Sequence, residues 1–196
     1  MIDFNKSLIR GARVWLRAFE QEDLQSQWLA VNDSDVDQFG GSMAPQSHHD
    51  LQDWYESIVR GGSRRNYFFV ISPLGSSEFI GLVSLYDFES RLNGPELGIA
   101  ISDKERWGKG FGTDAVNAML DFAFGSLEIN RIWLTTGAAN LRAQRSFKKA
   151  GFSVEGTIRE HSFYNGRWQD ALLMSILRSE WEKLDRPRSW DYPLEV

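Results

Sequence analysis

The sequence predicts an α+β fold in which a sheet rich in antiparallel pairs is flanked by helices, on three observations. Short apolar runs bounded by turn residues recur along the chain, and two of them carry hairpin signals. Several longer segments repeat apolar residues at helical spacing. Between one such strand and one such helix lie three alternating glycines, Gly108, Gly110 and Gly112.

Taken in order, residues 14–19 read as a first strand and 20–31 as a helix with Leu24, Trp28 and Val31 on one face. Residues 32–46 are polar, contain Gly40, Gly41 and Pro45, and read as a loop. Ser47 is placed to cap a helix whose apolar stripe is Leu51, Trp54, Tyr55 and Ile58. Strands over 67–71 and 79–86 should form a hairpin across the turn at Pro73–Ser77. The strand over 96–101 puts Leu97, Ile99 and Ile101 on one face and Glu96, Gly98 and Ala100 on the other. That second face is nearly bare, which lets a ligand or a covering helix approach the backbone. A bulge would break this parity.

The glycine stretch follows, then a helix carrying Ala115, Val116, Met119, Leu120, Ala123, Phe124 and Leu127. Residues 131–136 form the next strand. Asn140 caps a helix that buries Ala143, Phe147 and Ala150 and stops at Gly151. Strands over 153–163 and 168–177 flank Asn165-Gly166, a tight-hairpin signal. The whole of 1–196 is expected to be one domain, with a core over about 14–181. Its tail, 183–196, is either docked or an interface arm.

Composition bounds the chemistry. The chain has 196 residues, enough for a sizeable core, and its formal net charge of −5 argues against general nucleic-acid binding. It contains no cysteine, so disulfides and cysteine nucleophiles are excluded. Three histidines, two of them adjacent, make a metal site unexpected. No apolar stretch suits a signal peptide or a membrane span, and a cytoplasmic protein is the expectation.

A glycine loop feeding a helix N-terminus is suited to an anion, because unpaired amides and the helix dipole point there. The spacing fits neither a Walker loop nor G-x-G-x-x-G. The stretch Trp107-Gly108-Lys109-Gly110-Phe111-Gly112-Thr113 resembles the acetyl-CoA pyrophosphate loop of the GNAT N-acetyltransferase superfamily. Trp107 stands where that loop usually has Gln or Arg, as it often does in the branch resembling ribosomal-protein N-terminal (alanine/serine) acetyltransferases. The likeness extends over about 14–181. It includes Pro95-Glu96-Leu97-Gly98, the segment 140–152 and the ending from Gly156 through Asp170.

The resemblance implies a GNAT-like mixed, mostly antiparallel sheet with a splayed strand pair holding acetyl-CoA. It implies an N-acetyltransferase that passes acetyl directly to a primary amine. Cofactor contacts are then expected at Ile99, Ile101, Arg106, Trp107, Gly108, Lys109, Gly110, Phe111, Gly112, Thr113, Asn140 and Arg145. Of the charged groups, Arg106 and Lys109 are favoured for phosphate. Glu96 is the expected base. Many relatives have a tyrosine acid where this chain has Phe147, which cannot donate a proton. Adjacent Ser146 is the substitute, although helix geometry should turn it elsewhere. The acceptor is expected to be a protein or peptide N-terminal α-amine. The alternatives are a small amine (polyamine, amino sugar or antibiotic) and a catalytically silent acetyl-CoA-binding module. A homodimer is left open, and neither nucleic acid nor membrane is an expected partner.

Overall fold

The computed structural model describes residues 9–37, 44–59 and 66–192. Its frame is a seven-stranded sheet in the order β1-β2-β3-β4-β5-β7-β6. The strands are β1 (Val14–Ala18), β2 (Tyr67–Pro73), β3 (Gly81–Tyr86), β4 (Glu96–Ile101), β5 (Arg131–Gly137), β6 (Ser153–Tyr164) and β7 (Arg167–Leu177). Every neighbouring pair is antiparallel except β4 with β5. The parallel pair is joined at one position, Glu96 opposite Trp133, and then separates. The rest of β4 therefore has β3 on one side and no strand on the other.

The helices are α1 (Leu24–Val31), α2 (Ser34–Asp37), α3 (His48–Val59), α4 (Phe111–Ser126), α5 (Leu141–Lys149) and α6 (Arg178–Trp181). The expected first helix begins later than its pattern suggests, because Gln21–Asp23 forms a 3-10 turn. There the Asp23 carboxylate accepts from the Glu20 amide and pairs with Arg17. The loop expected over 32–46 contains α2, and its residues 38–43 lie outside the described residues. At α3 the expected cap is present: Ser47 Oγ accepts from the Asp50 amide, and the Asp50 carboxylate accepts from the Ser47 amide.

The core lies between the sheet and α4, where Ala115, Val116, Met119, Leu120, Ala123 and Phe124 meet Val83, Leu85, Leu97, Ile132 and Leu134. Phe122 completes it, edge-on to Tyr67 and Phe69 at 5.2 and 5.4 Å. The opposite face of β2 carries α3 through Trp54 and Phe68, 5.8 Å apart and nearly perpendicular. The β6–β7 turn has Asn165 at φ 50° and Gly166 at φ 74°, both left-handed, as a type I′ hairpin requires.

The tail is docked as far as the described residues reach. Buried Asp121 of α4, 2% exposed, accepts from Trp181 Nε1, Arg186 and the Ser189 amide. Trp190 lies across Gly125, where any Cβ would meet its ring. Residues 193–196, including the Pro193 read as part of the tail, lie outside the described residues.

Candidate active site

The open end of the β4–β5 splay is where the glycine loop sits. A 3-10 turn, Lys104–Arg106, leaves β4, and Gly108 and Gly110 follow at φ 72° and 91°. Gly110 is the N-cap of α4. At Gly108 an added Cβ would meet nothing within 4 Å, so the loop faces open space. Left-handed glycines at an uncapped helix N-terminus leave backbone amides directed outward, an anion cradle of the right form for a pyrophosphate.

Two contacts fix this cradle. Trp107 Nε1 donates to the Ile101 carbonyl at 2.7 Å, closing the loop onto the end of β4. The Arg142 guanidinium lies 3.6 Å from the Trp107 ring centroid, a cation–π contact linking α5 to the loop. Trp107 thus faces inward as a brace. Arg106, one of the two cations favoured for phosphate, is held by carboxylates. It is bound to Asp103 at 2.6 Å and Glu78 at 2.8 Å, and its guanidinium sits over Phe111. Two carboxylates already compensate that charge. Lys109 is exposed on the loop.

Sequence reading missed Arg13, whose Nε would lie 3.6 Å from a Cβ at Gly110. It also missed Asp114, whose carboxylate accepts from the amides of Ala12, Arg13 and Val14 at 2.8–3.0 Å. Asp114 ties the chain start to the first turn of α4 and holds Arg13 over the loop. Neither role has a local signal, because the partners are a hundred residues apart.

Ile99 and Ile101 turn their side chains toward the core, so only their backbone faces the splay. Thr113 and Ser146 hydroxyls are 2.8 Å apart, and Ser146 Oγ would lie 3.9 Å from a Cβ at Gly112. Ser146 thus faces the glycine end of α4, contrary to the expected orientation. Phe147 is 6% exposed and packs on Phe152, so the missing tyrosine is replaced by a core residue. Asn140 caps α5, accepting from the Ala143 amide at 3.1 Å. Arg145 is exposed on α5, with no contact to the loop among those described.

Glu96 stands at the apex of the splay. Its face of the sheet carries Ser84, Tyr86, Gly98 and Thr135 by cross-strand register. The pairing of β3 with β4 has no bulge, so the alternation read from the sequence holds. The bare face is covered, though not by a helix: a Cβ at Gly98 would meet Ser84 Oγ at 2.8 Å and a Tyr86 ring carbon at 3.1 Å. Burial raises the Glu96 carboxyl above its ordinary value, while hydrogen bonds from Tyr86 and Thr135 partly oppose the shift. Tyr86 is itself pushed up, first by burial and then by the Glu96 charge. Glu160 and His161 lie in an irregular stretch of β6 between Ile158 and Ser162, exposed at the sheet edge.

The sheet thus opens at one end onto a helix-borne anion cradle, with a carboxylate of raised proton affinity at its apex. The family model of the GNAT acetyltransferase domain matches residues 13–153, and the chain belongs to that family. It resembles the spermidine N(1)-acetyltransferase of Vibrio cholerae, 29% identical over 171 residues, covering 87% of this chain and 96% of the relative. The Escherichia coli K12 spermidine N(1)-acetyltransferase is 30% identical over 168 residues, covering 86% and 88%. A Bacillus subtilis protein provisionally named a ribosomal N-acetyltransferase is 32% identical over 102 residues, covering only 52% and 55%. The Vibrio cholerae spermidine N-acetyltransferase crystallised with CoA and spermine superposes with a TM-score of 0.79, at 29% identity, over 87% of this chain and 98% of that one. The chain is an acetyl-CoA-dependent N-acetyltransferase, and acetyl-CoA is its co-substrate. The silent-module alternative is set aside. Among the described residues no helix is long and apolar enough to cross a membrane.

Proposed function

We propose that this enzyme acetylates a small primary amine of the polyamine class by direct transfer, with Glu96 as the base. The observation that carries the chemistry is the Glu96 carboxylate at the apex of the splay, desolvated yet held by Tyr86 and Thr135. A polyamine amine is largely protonated at neutral pH, with a pKa near 10 for a lysine-like group. It needs a base, and a carboxylate raised toward neutrality is a better one than a solvated glutamate. The acceptor class is supported by two relatives matched over most of their length, both named spermidine acetyltransferases.

In this reading Glu96 removes a proton from the acceptor ammonium. The freed nitrogen attacks the thioester carbon, the C–N bond forms, the C–S bond breaks, and the nitrogen gives up its second proton to solvent as the amide forms. The sulfur leaves as a thiolate, whose pKa of about 8.5 asks little of an acid. Ser146, with Thr113, can donate a hydrogen bond there but is a weak proton source. Unpaired β4 amides from about Ile99 to Ile101 stabilise the charge on the carbonyl oxygen. The loop amides from Gly108 to Thr113, with Lys109 and Arg13, hold the pyrophosphate. Trp107 shapes that loop, Phe111 and Gly112 start its helix, and Asn140 orients α5. Arg106 and Arg145 drop out of the contact set. The first is neutralised and the second has no described contact with the loop.

A second reading, acetylation of an N-terminal α-amine in the ribosomal-protein branch, is favoured by Phe147 in place of a tyrosine and by the shorter Bacillus subtilis match. Thiol release from acetyl-CoA separates the two. Turnover with spermidine and none with N-terminal peptides supports the first; the reverse pattern overturns it.

A further inference from the structure

The two ends of the glycine loop are joined by one side chain. Arg106 closes the 3-10 turn that leaves β4, just ahead of residues 107–110, and Phe111 opens α4 just after them. The Arg106 guanidinium sits over the Phe111 ring, 5.2 Å from its centroid. Within the loop, the Lys109 amide donates to the Arg106 carbonyl at 3.3 Å. The guanidinium is itself anchored. Its Nε donates to one oxygen of Asp103 at 2.6 Å, and the other oxygen of that carboxylate accepts from the Glu105 amide, capping the turn. Its Nη2 donates to Glu78 at 2.8 Å. Glu78 reaches it because Gly81 of β3 pairs with Ile101 of β4, which brings the chain ahead of β3 beside the exit from β4.

Two carboxylates against one guanidinium leave no net positive charge to offer a phosphate, and a swing toward one would strip both carboxylates of their partner. We infer that Arg106 is a positioning residue for acetyl-CoA: it braces the entry of the glycine loop against its exit and so pre-forms the amide cradle, without touching the phosphates. The inference rests on reading residues 108–113 as the pyrophosphate cradle. A loop already held in its binding shape loses less of the binding free energy to its own ordering. The brace also demands arginine. A planar guanidinium can stack on a ring while its fork bridges two carboxylates, whereas a lysine ammonium is a point charge.

The test is the calorimetric Kd for acetyl-CoA, with backbone hydrogen exchange in the ligand-free protein, on the native enzyme and on Arg106→Met, Arg106→Lys and Glu78→Gln. Both Arg106 variants should bind acetyl-CoA about tenfold more weakly, the loop now being ordered at the expense of binding. Their amides over 107–113 should exchange faster, while those of β5 and β7 exchange as in the native enzyme. Glu78→Gln should weaken binding about threefold, as loss of one exposed ion pair does. A phosphate contact predicts opposite signs: Arg106→Lys keeps the native Kd, and Glu78→Gln tightens binding by freeing the guanidinium. Either result overturns the brace. So does native exchange over 107–113 in Arg106→Met, or exchange that rises equally in β5 and β7. If the Arg106 variants fail to fold, Glu78→Gln carries the conclusion, because that carboxylate is 50% exposed. Gly110→Trp tests the layer beneath: a native Kd in that variant overturns the cradle and the brace with it.

Discussion

Glu96 and Tyr86 form a pair whose behaviour with pH can be worked out. The Glu96 pKa is raised above its ordinary value of 4.5, so the base becomes available only as pH climbs past that value. The acid limb of kcat/KM should lie above 4.5. Glu96→Gln should lower kcat/KM by about a hundredfold and remove that limb, with the KM for acetyl-CoA unchanged; full activity would end its role as base. Tyr86 lowers the Glu96 pKa by hydrogen bonding. Tyr86→Phe should therefore move the acid limb to higher pH, and an unmoved limb would show that the phenol does not set the carboxylate. Tyr86 is a positioning residue and no acid for the leaving sulfur, because its own pKa is raised far above that of a thiol.

At the scale of elements, the loop and the sheet edge each depend on a few bonds. Gly110 sits at φ 91° at the head of α4, where a side chain is both strained and in the way. Gly110→Trp should abolish measurable acetyl-CoA binding by calorimetry while the fold survives. Trp107→Phe keeps the ring under Arg142 and loses the bond to the Ile101 carbonyl. One such bond contributes roughly 1 kcal/mol, so the KM for acetyl-CoA should rise about fivefold. At the other edge of the sheet, Glu155 of β6 takes two bonds from Arg131, at 2.7 and 2.6 Å, and one from Ser175. These hold its carboxyl down at about 2. A depressed carboxyl stabilises the fold above its ordinary value of 4.5, and that stability is lost as pH falls from there toward about 2. Glu155→Gln should flatten the acid-denaturation profile across that window; an unchanged profile would mean the edge strand is held by other means.

Across the whole molecule, Asp121 joins three parts of the chain: α4, Trp181 after the last strand, and the tail through Arg186 and Ser189. The carboxylate is buried and the Arg186 side chain is 17% exposed. Asp121→Ala leaves that guanidinium without its charge partner, and breaking such a pair costs about 3–5 kcal/mol. The expected outcome is a large fall in Tm together with protease cleavage between Trp181 and Trp190. A variant as stable as the native chain would show that the tail is held by its aromatic contacts alone.

Sequence order was enough for everything the chain does with near neighbours. The glycine loop, its helix, the caps at Ser47 and Asn140, the Asn165-Gly166 turn and the alternation along β4 are local, because a turn or a helix end is set by a few consecutive residues. Those elements place Glu96 at the apex of the splay and the glycine loop at its open end. Local spacing also misled. It did not show that Arg106 is paired with Glu78, which arrives from the segment ahead of β3. It turned Ser146 away because a helical wheel does not show that α4 begins opposite it. Arg13, Asp114 and Tyr86 were invisible for one reason. Each acts across a sheet or between a helix and a distant segment, and only tertiary pairing decides which residues meet there. The resemblance to a family fixed the cofactor. Which groups surround Glu96 depends on the pairing of β4 with β3 and β5, which brings Tyr86 and Thr135 to it and which only the folded sheet defines.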